Sequence, residues 1–512
     1  MRRRDFGKFL AGAALTVSHT AEGGIASGGA GANILLPSLP CATPLPEVVL
    51  FGFDDHAFPF RYHLETRLTP SQGAKVVLGH GAEGSYDEVL LYYGTVIRIG
   101  DTFHMWYNGN YGPLRNHIGY ELVNCFLCYA TSKDGVNWEK PALGLVEYQG
   151  SKHNNICDLP EPTLWSTAAV LYDLEDPDPS RRYKIAYEAQ FPEGYRFCVA
   201  FSPDGLQWKR SPKNPVGPFL EMAGVTKFRG LYYVNGQGEF YGDDRVGARR
   251  LDTFVSDDFE YWSPCSALGL DRTRDLTGPS TAEDSHQDEQ IHLGAALWNR
   301  GNVLVGIYGQ WHGHFSGDRR FVVMDLGMAL SHDALHFYEP VPGFRLIPAR
   351  EQPESAKGVG PALVQGQGIE NVGDQTLYWY APWRGTEGSG VRMVSWPRDR
   401  LGMLRPFLPH APRAISCPIQ IVGGTARAFL NVSGLGQHSH LRVGLLTEGF
   451  REVPGFNGAN SVLITENGFD IPLRWKSGDA LPRSDRLFRF DIRFEGVRPE
   501  DAALHALYVE GA

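Results

Sequence analysis

Ser132-Lys133-Asp134-Gly135-Val136-Asn137-Trp138 returns along the chain as Ser202-Pro203-Asp204-Gly205-Leu206-Gln207-Trp208. Looser copies follow at Ser256-Asp257-Asp258-Phe259-Glu260-Tyr261-Trp262 and Ser331-His332-Asp333-Ala334-Leu335-His336-Phe337, with a worn fifth at Ser395-Trp396-Pro397-Arg398-Asp399-Arg400-Leu401. Apolar, strand-like runs precede each copy, for example 103–107 and 126–131 before the first and 183–187 and 196–201 before the second. In such a unit Ser and Asp cap the backbone amides of a tight turn and Gly relieves a positive φ. The closing aromatic then covers the gap to a neighbouring sheet. Three strands, a turn and a final aromatic strand make one four-stranded antiparallel sheet, and a regular repeat of such sheets is a propeller. The expectation is an all-β fold, a five-bladed β-propeller with blades near 84–147, 160–212, 216–266, 284–345 and 357–405.

The repeat stops near residue 410. Beyond it, runs at 425–432, 440–446, 487–494 and 506–509 alternate apolar and polar residues between Gly and Pro turns, which predicts a β-sandwich over 410–512 behind a propeller spanning 45–408.

The bulk composition fits this reading. The 512 residues are 42% apolar and 21% charged, which is globular, and 60 Gly with 34 Pro favour short strands joined by turns. A net charge of -10 argues against a surface that tracks nucleic-acid phosphates. No apolar run reaches the roughly 18 residues of a membrane-spanning helix, so no membrane partner is expected after export. The seven cysteines lack the spacing of a disulfide framework, and Cys125-Phe126-Leu127-Cys128 reads as strand with buried thiols. At the start, Met1-Arg2-Arg3-Arg4-Asp5-Phe6-Gly7-Lys8 leads into an apolar stretch and a small-residue region. That pattern predicts a twin-arginine-type signal and leader over 1–40, and a periplasmic or secreted protein.

Several local phrases carry a family resemblance. Leu50-Phe51-Gly52-Phe53-Asp54-Asp55-His56, the stretch 94–108 around Met105-Trp106-Tyr107, residues 129–145, Asn154-Asn155-Ile156, Arg181-Arg182-Tyr183-Lys184, Pro454-Gly455-Phe456 and Arg474-Trp475-Lys476 resemble bacterial glycosyl hydrolase family 32-like proteins. The resemblance, shared with family 43-like propellers, covers nearly the whole mature chain. It implies a furanosidase-type five-bladed propeller related to invertases, fructanases and arabinanases, with sugar bound in an axial funnel. The chain departs from the invertase pattern: it has no Trp-Met-Asn-Asp-Pro, Arg-Asp-Pro or Glu-Cys segment. Those roles do not transfer, and a fold alone does not fix a function.

Cleaving a glycosidic bond takes one carboxylic acid that holds its proton and one ionised carboxylate. In a propeller the first strand of each blade lines the funnel, which selects Asp87 as nucleophile or base, Glu221 as proton donor and Asp288 as a third acid that sets their charge states. Asp55, Glu88, Trp165, His286, His292, Trp311 and Glu370 are substrate-binding candidates. His312 and His314, two apart on a strand, share a side and are metal candidates; no cofactor is otherwise called for, and a structural metal remains compatible with folded export. The expected partner is a carbohydrate. The expected function is an exported glycoside hydrolase acting on a furanoside-type or related oligo- or polysaccharide. The alternatives are a non-catalytic carbohydrate-binding propeller and a glycoside phosphorylase, which needs a basic phosphate site beside the acids.

Overall fold

The computed structural model describes residues 33–39, 43–110, 125–160, 164–238, 249–265, 267–272, 289–316, 318–351, 361–383, 390–482 and 486–511. Its regular structure there is β-strand with a few single 3₁₀ turns.

Five antiparallel strand groups follow one another along the described chain, the first and fifth joined into one eight-stranded sheet by a parallel bridge between Thr95 and Gln367. The first holds Val89–Ile99, Thr102–Asn110, Cys125–Ser132 and Trp138–Glu139, and the second Leu164–Tyr172, Tyr183–Phe191, Gly194–Ser202 and Lys209–Arg210. The third holds Leu220–Phe228, Leu231–Gly238, Asp252–Ser256 and Ser263–Pro264, and the fourth Glu289–Asn299, Leu304–His312 and Val323–Ser331. The fifth runs Leu363–Val372, Gln375–Pro382 and Gly390–Pro397. The first strand of each sheet packs against the first strands of the sheets before and after it, and the fifth returns to the first, so the inner strands close a ring. The ring is all-β and of the propeller type that the repeat predicts.

The repeated turns are built as the residues dictate. In the first copy Ser132 Oγ accepts from the Gly135 amide at 2.9 Å, while Asp134 Oδ1 accepts from the amides of Val136 and Asn137 at 2.8 and 2.7 Å. The same pattern recurs around Asp204, Asp258 and Asp333. The residue after each Asp is left-handed: Gly135 at φ 74°, Gly205 at 76°, Phe259 at 66° and Ala334 at 65°. The closing aromatics do pack across the gaps, Trp138 on Trp379 at 6.2 Å and Trp262 on Phe197 at 5.3 Å, and a second tryptophan adds to the seal. Trp138 bonds back to its own Gly135 carbonyl, but that carbonyl also receives Trp379 Nε1 from the fifth sheet at 2.8 Å, and Gly205 receives Trp106 Nε1 from the first at 2.7 Å. Mid-strand tryptophans of the neighbouring blade therefore share the joining with the motif's own aromatics.

The fifth sheet takes its outer strand from Gln72–Gly79, which lies before the first blade and pairs antiparallel with Gly390–Pro397. The chain that follows the worn fifth copy, Gly402–Pro406, instead pairs with Leu64–Leu68 in the second domain. Further strands from the front of the chain also join the C-terminal sheets. Glu47–Phe51 pairs with Ala503–Gly511 and Phe60–Tyr62 with Arg413–Ile415, while Asn33–Leu35, within the stretch assigned to the leader, pairs with Gln420–Val422. The two facing sheets of the sandwich enclose Leu430, Leu441, Val443, Phe490, Ile492, Leu504, Leu507 and Val509, all fully buried. Alternation in strands such as His440–Thr447 supplies one inward apolar face, as period-2 patterning requires.

The domains meet over a seam that is partly apolar, with Val49, Phe51 and Phe53 against Val303, Val305 and Ile307. It is also hydrogen-bonded: Asn302 closes a two-way bond with the Val49 backbone at 2.9 and 2.8 Å.

Candidate functional site

Every inner strand breaks register partway along, between Leu91 and Thr95, Leu164 and Ala168, Met222 and Gly224, His292 and Ala295, and Gln365 and Ile369. A bulge bends the strand and re-aims the side chains on either side of it. At the fourth bulge the turn is tight: Leu293 stands at φ 64° and Gly294 at 97°, where a Cβ on Gly294 would meet Asn235 Oδ1 at 2.6 Å. Backbone groups released from the ladders are taken by buried amides and hydroxyls. Val170 N donates to Thr95 Oγ1, Asn235 makes a two-way bond with Ala295, and Gln365 Nε2 donates to the carbonyls of His292 and Gly294. Gln367 of the fifth sheet reaches across the axis to the third, accepting from Val225 N at 2.6 Å and donating to Val225 O at 2.8 Å. The axis is thus bridged at bulge level. One side of the bulges is the end from which the inner strands begin.

Glu221 stands on that side, partly exposed, opposite Gln237 on the adjacent strand. Behind it, on the second strand of sheet two, the Glu188 side chain is fully enclosed, and neither carboxyl oxygen accepts a well-formed hydrogen bond. Burial drives its carboxyl far above the usual range and the charge of Glu221 raises it further, with only the Thr167 hydroxyl acting the other way. A third acid, Asp252, pairs through Gly236 with the position of Met222, next to Glu221. Burial pushes the Asp252 carboxyl up to about 6, against the pull of Arg250 and the Gly238 amide. Glu188 and Asp252 lie on second and third strands, outside the first-strand positions searched in the sequence. Their chemistry comes from burial, which neighbouring blades impose.

Two arginines adjoin these acids. Arg249 donates to Gln237 Oε1 at 2.9 Å and lies 4.5 Å from the Trp311 ring centroid, and Arg250 is the cation beside Asp252.

Of the other sequence candidates, Trp311 and the His292 stacked on it adjoin this group through Arg249, and the rest are dispersed. Glu88 accepts the Gly84 amide at 3.0 Å and so closes its own turn. Asp87 is buried and engaged by Lys140 Nζ at 2.6 Å, Tyr107 OH at 3.0 Å and Ser85 Oγ at 3.2 Å, which turn it into its own blade. Asp55 is exposed and paired with Arg61 at 2.5 Å beside the sandwich. Glu370 lies beyond the bulge of its strand, away from Glu221, where burial lifts it to about 7 against Arg98 and Arg300. His292 and Trp311 are buried together with Trp383, the two tryptophan rings standing 6.1 and 5.3 Å from His292. Trp165 is placed on the inner strand of sheet two by its backbone. Asp288 and His286 lie outside the described residues.

His312 and His314 do not converge. His312 sits between two carboxylates, Nδ1 at 2.8 Å from Glu289 and Nε2 at 3.0 Å from Asp325, while His314 is bonded to Ser316 at 2.7 Å. Burial opposes the charged His312 ring, but Asp325 and Glu289 outweigh it and raise its pKa. Burial likewise opposes the charge on Glu289, yet His312 and Arg272 hold it down at about 2. Among the described residues no group of three His, Cys, Asp or Glu side chains is disposed to hold a metal ion.

No family model matches the chain. Two uncharacterized proteins of Mycobacterium tuberculosis are 28% and 29% identical to it over 175 residues, 32% of this chain and 52% of each relative, so the chain spans about half the length of the curated relatives it matches. Among solved structures it is similar to one reported under the description of the GH130 family of mannoside phosphorylases containing glycoside hydrolases that target β-1,2 mannosidic linkages in Candida mannan. That likeness has 17% identity over 67% of this chain and 96% of the other, with a TM-score of 0.42. A glycosyl hydrolase from Bacteroides ovatus shares 16% identity over 60% and 84% of the two chains, at a TM-score of 0.40. The α-L-arabinofuranosidase of Podospora anserina, solved with cellotriose, shares 11% over 65% and 98%, also at 0.40. Likeness at these levels transfers neither a site nor a substrate.

Proposed function

We propose that the chain is an exported glycoside hydrolase acting on a furanoside-type or related oligo- or polysaccharide, with its chemistry where blades two and three meet at the starting ends of the inner strands. The observation that carries the reading is a set of carboxyls in contrasting surroundings at one end of the inner strands: Glu221 partly exposed, Asp252 buried with a carboxyl at about 6, and Glu188 fully enclosed. Environments that separate the charge states of neighbouring carboxyls are what glycoside cleavage uses. In this reading Asp252 donates the proton to the leaving oxygen and Glu221 acts as base or nucleophile. That exchanges the role the sequence suggested for Glu221, because burial raises the Asp252 carboxyl to about 6, within reach of the proton it has to deliver. The test is a screen of the purified protein against oligosaccharides and aryl furanosides, followed by Glu221→Gln on any substrate found. Loss of turnover with unchanged folding supports the reading, whereas full activity in Glu221→Gln removes Glu221 from the chemistry.

A phosphorylase is the second reading, favoured by Arg249 and Arg250 beside the same acids. Guanidinium groups suit phosphate. Turnover that requires inorganic phosphate and releases a sugar 1-phosphate distinguishes this from hydrolysis.

A further inference from the structure

One sheet of the sandwich carries a row of arginines on its solvent side. Tyr62, Arg413, Arg493, Arg442 and Leu463 stand directly opposite one another on five neighbouring strands. Their neighbours along the strands, Leu441, Val443, Ile492 and Phe494, point the other way into the core, so the whole row faces out. Tyr62 is 67% exposed and Leu463 49%, while the three arginine side chains are between 34% and 43% exposed. Like charges directly opposite on a sheet destabilise it, and here three stand together on a chain whose net charge is -10.

The guanidinium groups are held from below. Asp491, buried two residues along the strand from Arg493, accepts from Arg413 Nη2 at 2.9 Å and from Arg493 Nε and Nη2 at 3.1 and 3.0 Å. Glu495 accepts from Arg442 Nε at 2.8 and 3.0 Å and faces His440 at 3.4 Å, and Glu452 lies within electrostatic reach of Arg413. These bonds engage the Nε edges and fix the groups in place. Among the described residues Nη1 of Arg413 and of Arg493, and both Nη of Arg442, make no hydrogen bond. At the Tyr62 end the row continues into aromatic surface. The Tyr62 and His63 rings are 5.6 Å apart, and His63 lies 6.3 Å from Phe407, itself 55% exposed.

We propose that this face of the sandwich binds an acidic polysaccharide, a chain of uronate-type sugars whose carboxylates meet the arginine row while a ring lies on Tyr62. Anchored guanidinium forks suit carboxylates, and a tyrosine ring offers an apolar face to the C–H face of a sugar. The spacing separates a glycan from an acidic peptide. Opposed residues on antiparallel strands are roughly 4.5 to 5.5 Å apart, a step comparable with one sugar residue, whereas an extended peptide presents side chains on one face about 6.6 Å apart. The surface lies on the sandwich, away from the acids of the inner strands, and does not depend on the hydrolase reading.

Isothermal titration of the full chain with polygalacturonate, dextran and polyglutamate, at about 0.1 M salt, tests this. Polygalacturonate is expected to bind, dextran not, and polyglutamate at least tenfold more weakly than polygalacturonate. Arg442→Gln and Arg493→Gln are each expected to weaken binding roughly tenfold, Tyr62→Ala severalfold, and about 1 M salt to abolish it by screening. Should Arg493→Gln melt early because Asp491 has lost a partner, Arg442→Gln decides, since its partner Glu495 is part-exposed. No binding of polygalacturonate, binding unchanged in Arg442→Gln, or polyglutamate bound as tightly overturns the proposal. If polygalacturonate binds and no glycoside is turned over, the hydrolase reading fails while the surface stands.

Discussion

Asp54 and His332 form a buried ion pair across the seam between the two domains, with His332 Nε2 at 3.1 Å from Asp54 Oδ2. The other ring nitrogen faces the Asn302 carbonyl at 3.2 Å, so both nitrogens meet acceptors, which favours the charged form of the ring. Tyr338 OH and the His56 amide complete the shell of Asp54 Oδ1 at 2.7 and 2.8 Å. Burial opposes both charges, but each partner wins for the other: His332 is raised and Asp54 lowered.

The signs define a pH window. The raised His332 contributes stability that is complete below its unfolded pKa of about 6.5 and is lost as pH rises through the folded value. The lowered Asp54 contributes stability that is present above its unfolded pKa of about 3.9 and is lost as pH falls through the folded one. Thermal melts are expected to be highest in weakly acidic buffer. Asp54→Asn, which leaves a buried cation unpaired, is expected to cost about 3 to 5 kcal/mol in that window, measured by denaturant unfolding.

Gly205 is expected to tolerate no side chain. Its φ of 76° disfavours other residues, and a Cβ there would stand 2.7 Å from Trp106 Cζ2. Gly205→Ala should lower stability by about 2 kcal/mol, combining the left-handed cost with displacement of the Trp106 ring. Loss of the Trp106 fluorescence environment at unchanged secondary structure would mark the seal between blades one and two as the point of failure.

Gln367 is expected to matter for rigidity of the ring. Gln367→Leu leaves the amide and carbonyl of Val225 without their cross-axis partner, at about 1 to 3 kcal/mol for each buried group. Hydrogen exchange at the Val225 amide reports the loss directly. Protection equal to that of the natural protein would show that the bridge carries nothing.

For catalysis, Asp252 gives a pH signature. If it donates the proton, kcat/KM falls as pH rises through about 6, since burial sets the Asp252 carboxyl there. Asp252→Asn should remove this limb along with most of the rate. A limb at the same position in the variant assigns it to another group.

The turns were legible because their chemistry is local. Ser132, Asp134 and Gly135 satisfy one another within four residues, so the sequence carries the whole motif. The worn fifth copy reads poorly for a physical reason. Asp399, the acid of that turn, is shared among Arg300, Asn371 Nδ2 at 3.0 Å and Tyr508 OH at 2.7 Å, and serves the domain seam. The outer strand of the fifth sheet was not legible at all, since nothing in Gln72–Gly79 announces a partner near residue 390. The same holds for the site. Glu221 stands on a first strand and follows from propeller geometry, whereas Glu188 and Asp252 owe their properties to what neighbouring strands exclude. Asp87 shows the converse: a promising position whose carboxylate is already claimed by Lys140.

The pairing of Glu47–Phe51 with Ala503–Gly511, and of Gln72–Gly79 with Gly390–Pro397, sets an order on how the molecule comes together. Residues made early must wait for partners made much later: the ring cannot close before 390–397 exist, nor the sandwich before 503–511. Contacts of such long sequence separation are slow to form. Until they do, Val48 to Phe51 present an unpaired apolar edge, and that interval is when the protein is most exposed to association with its own copies.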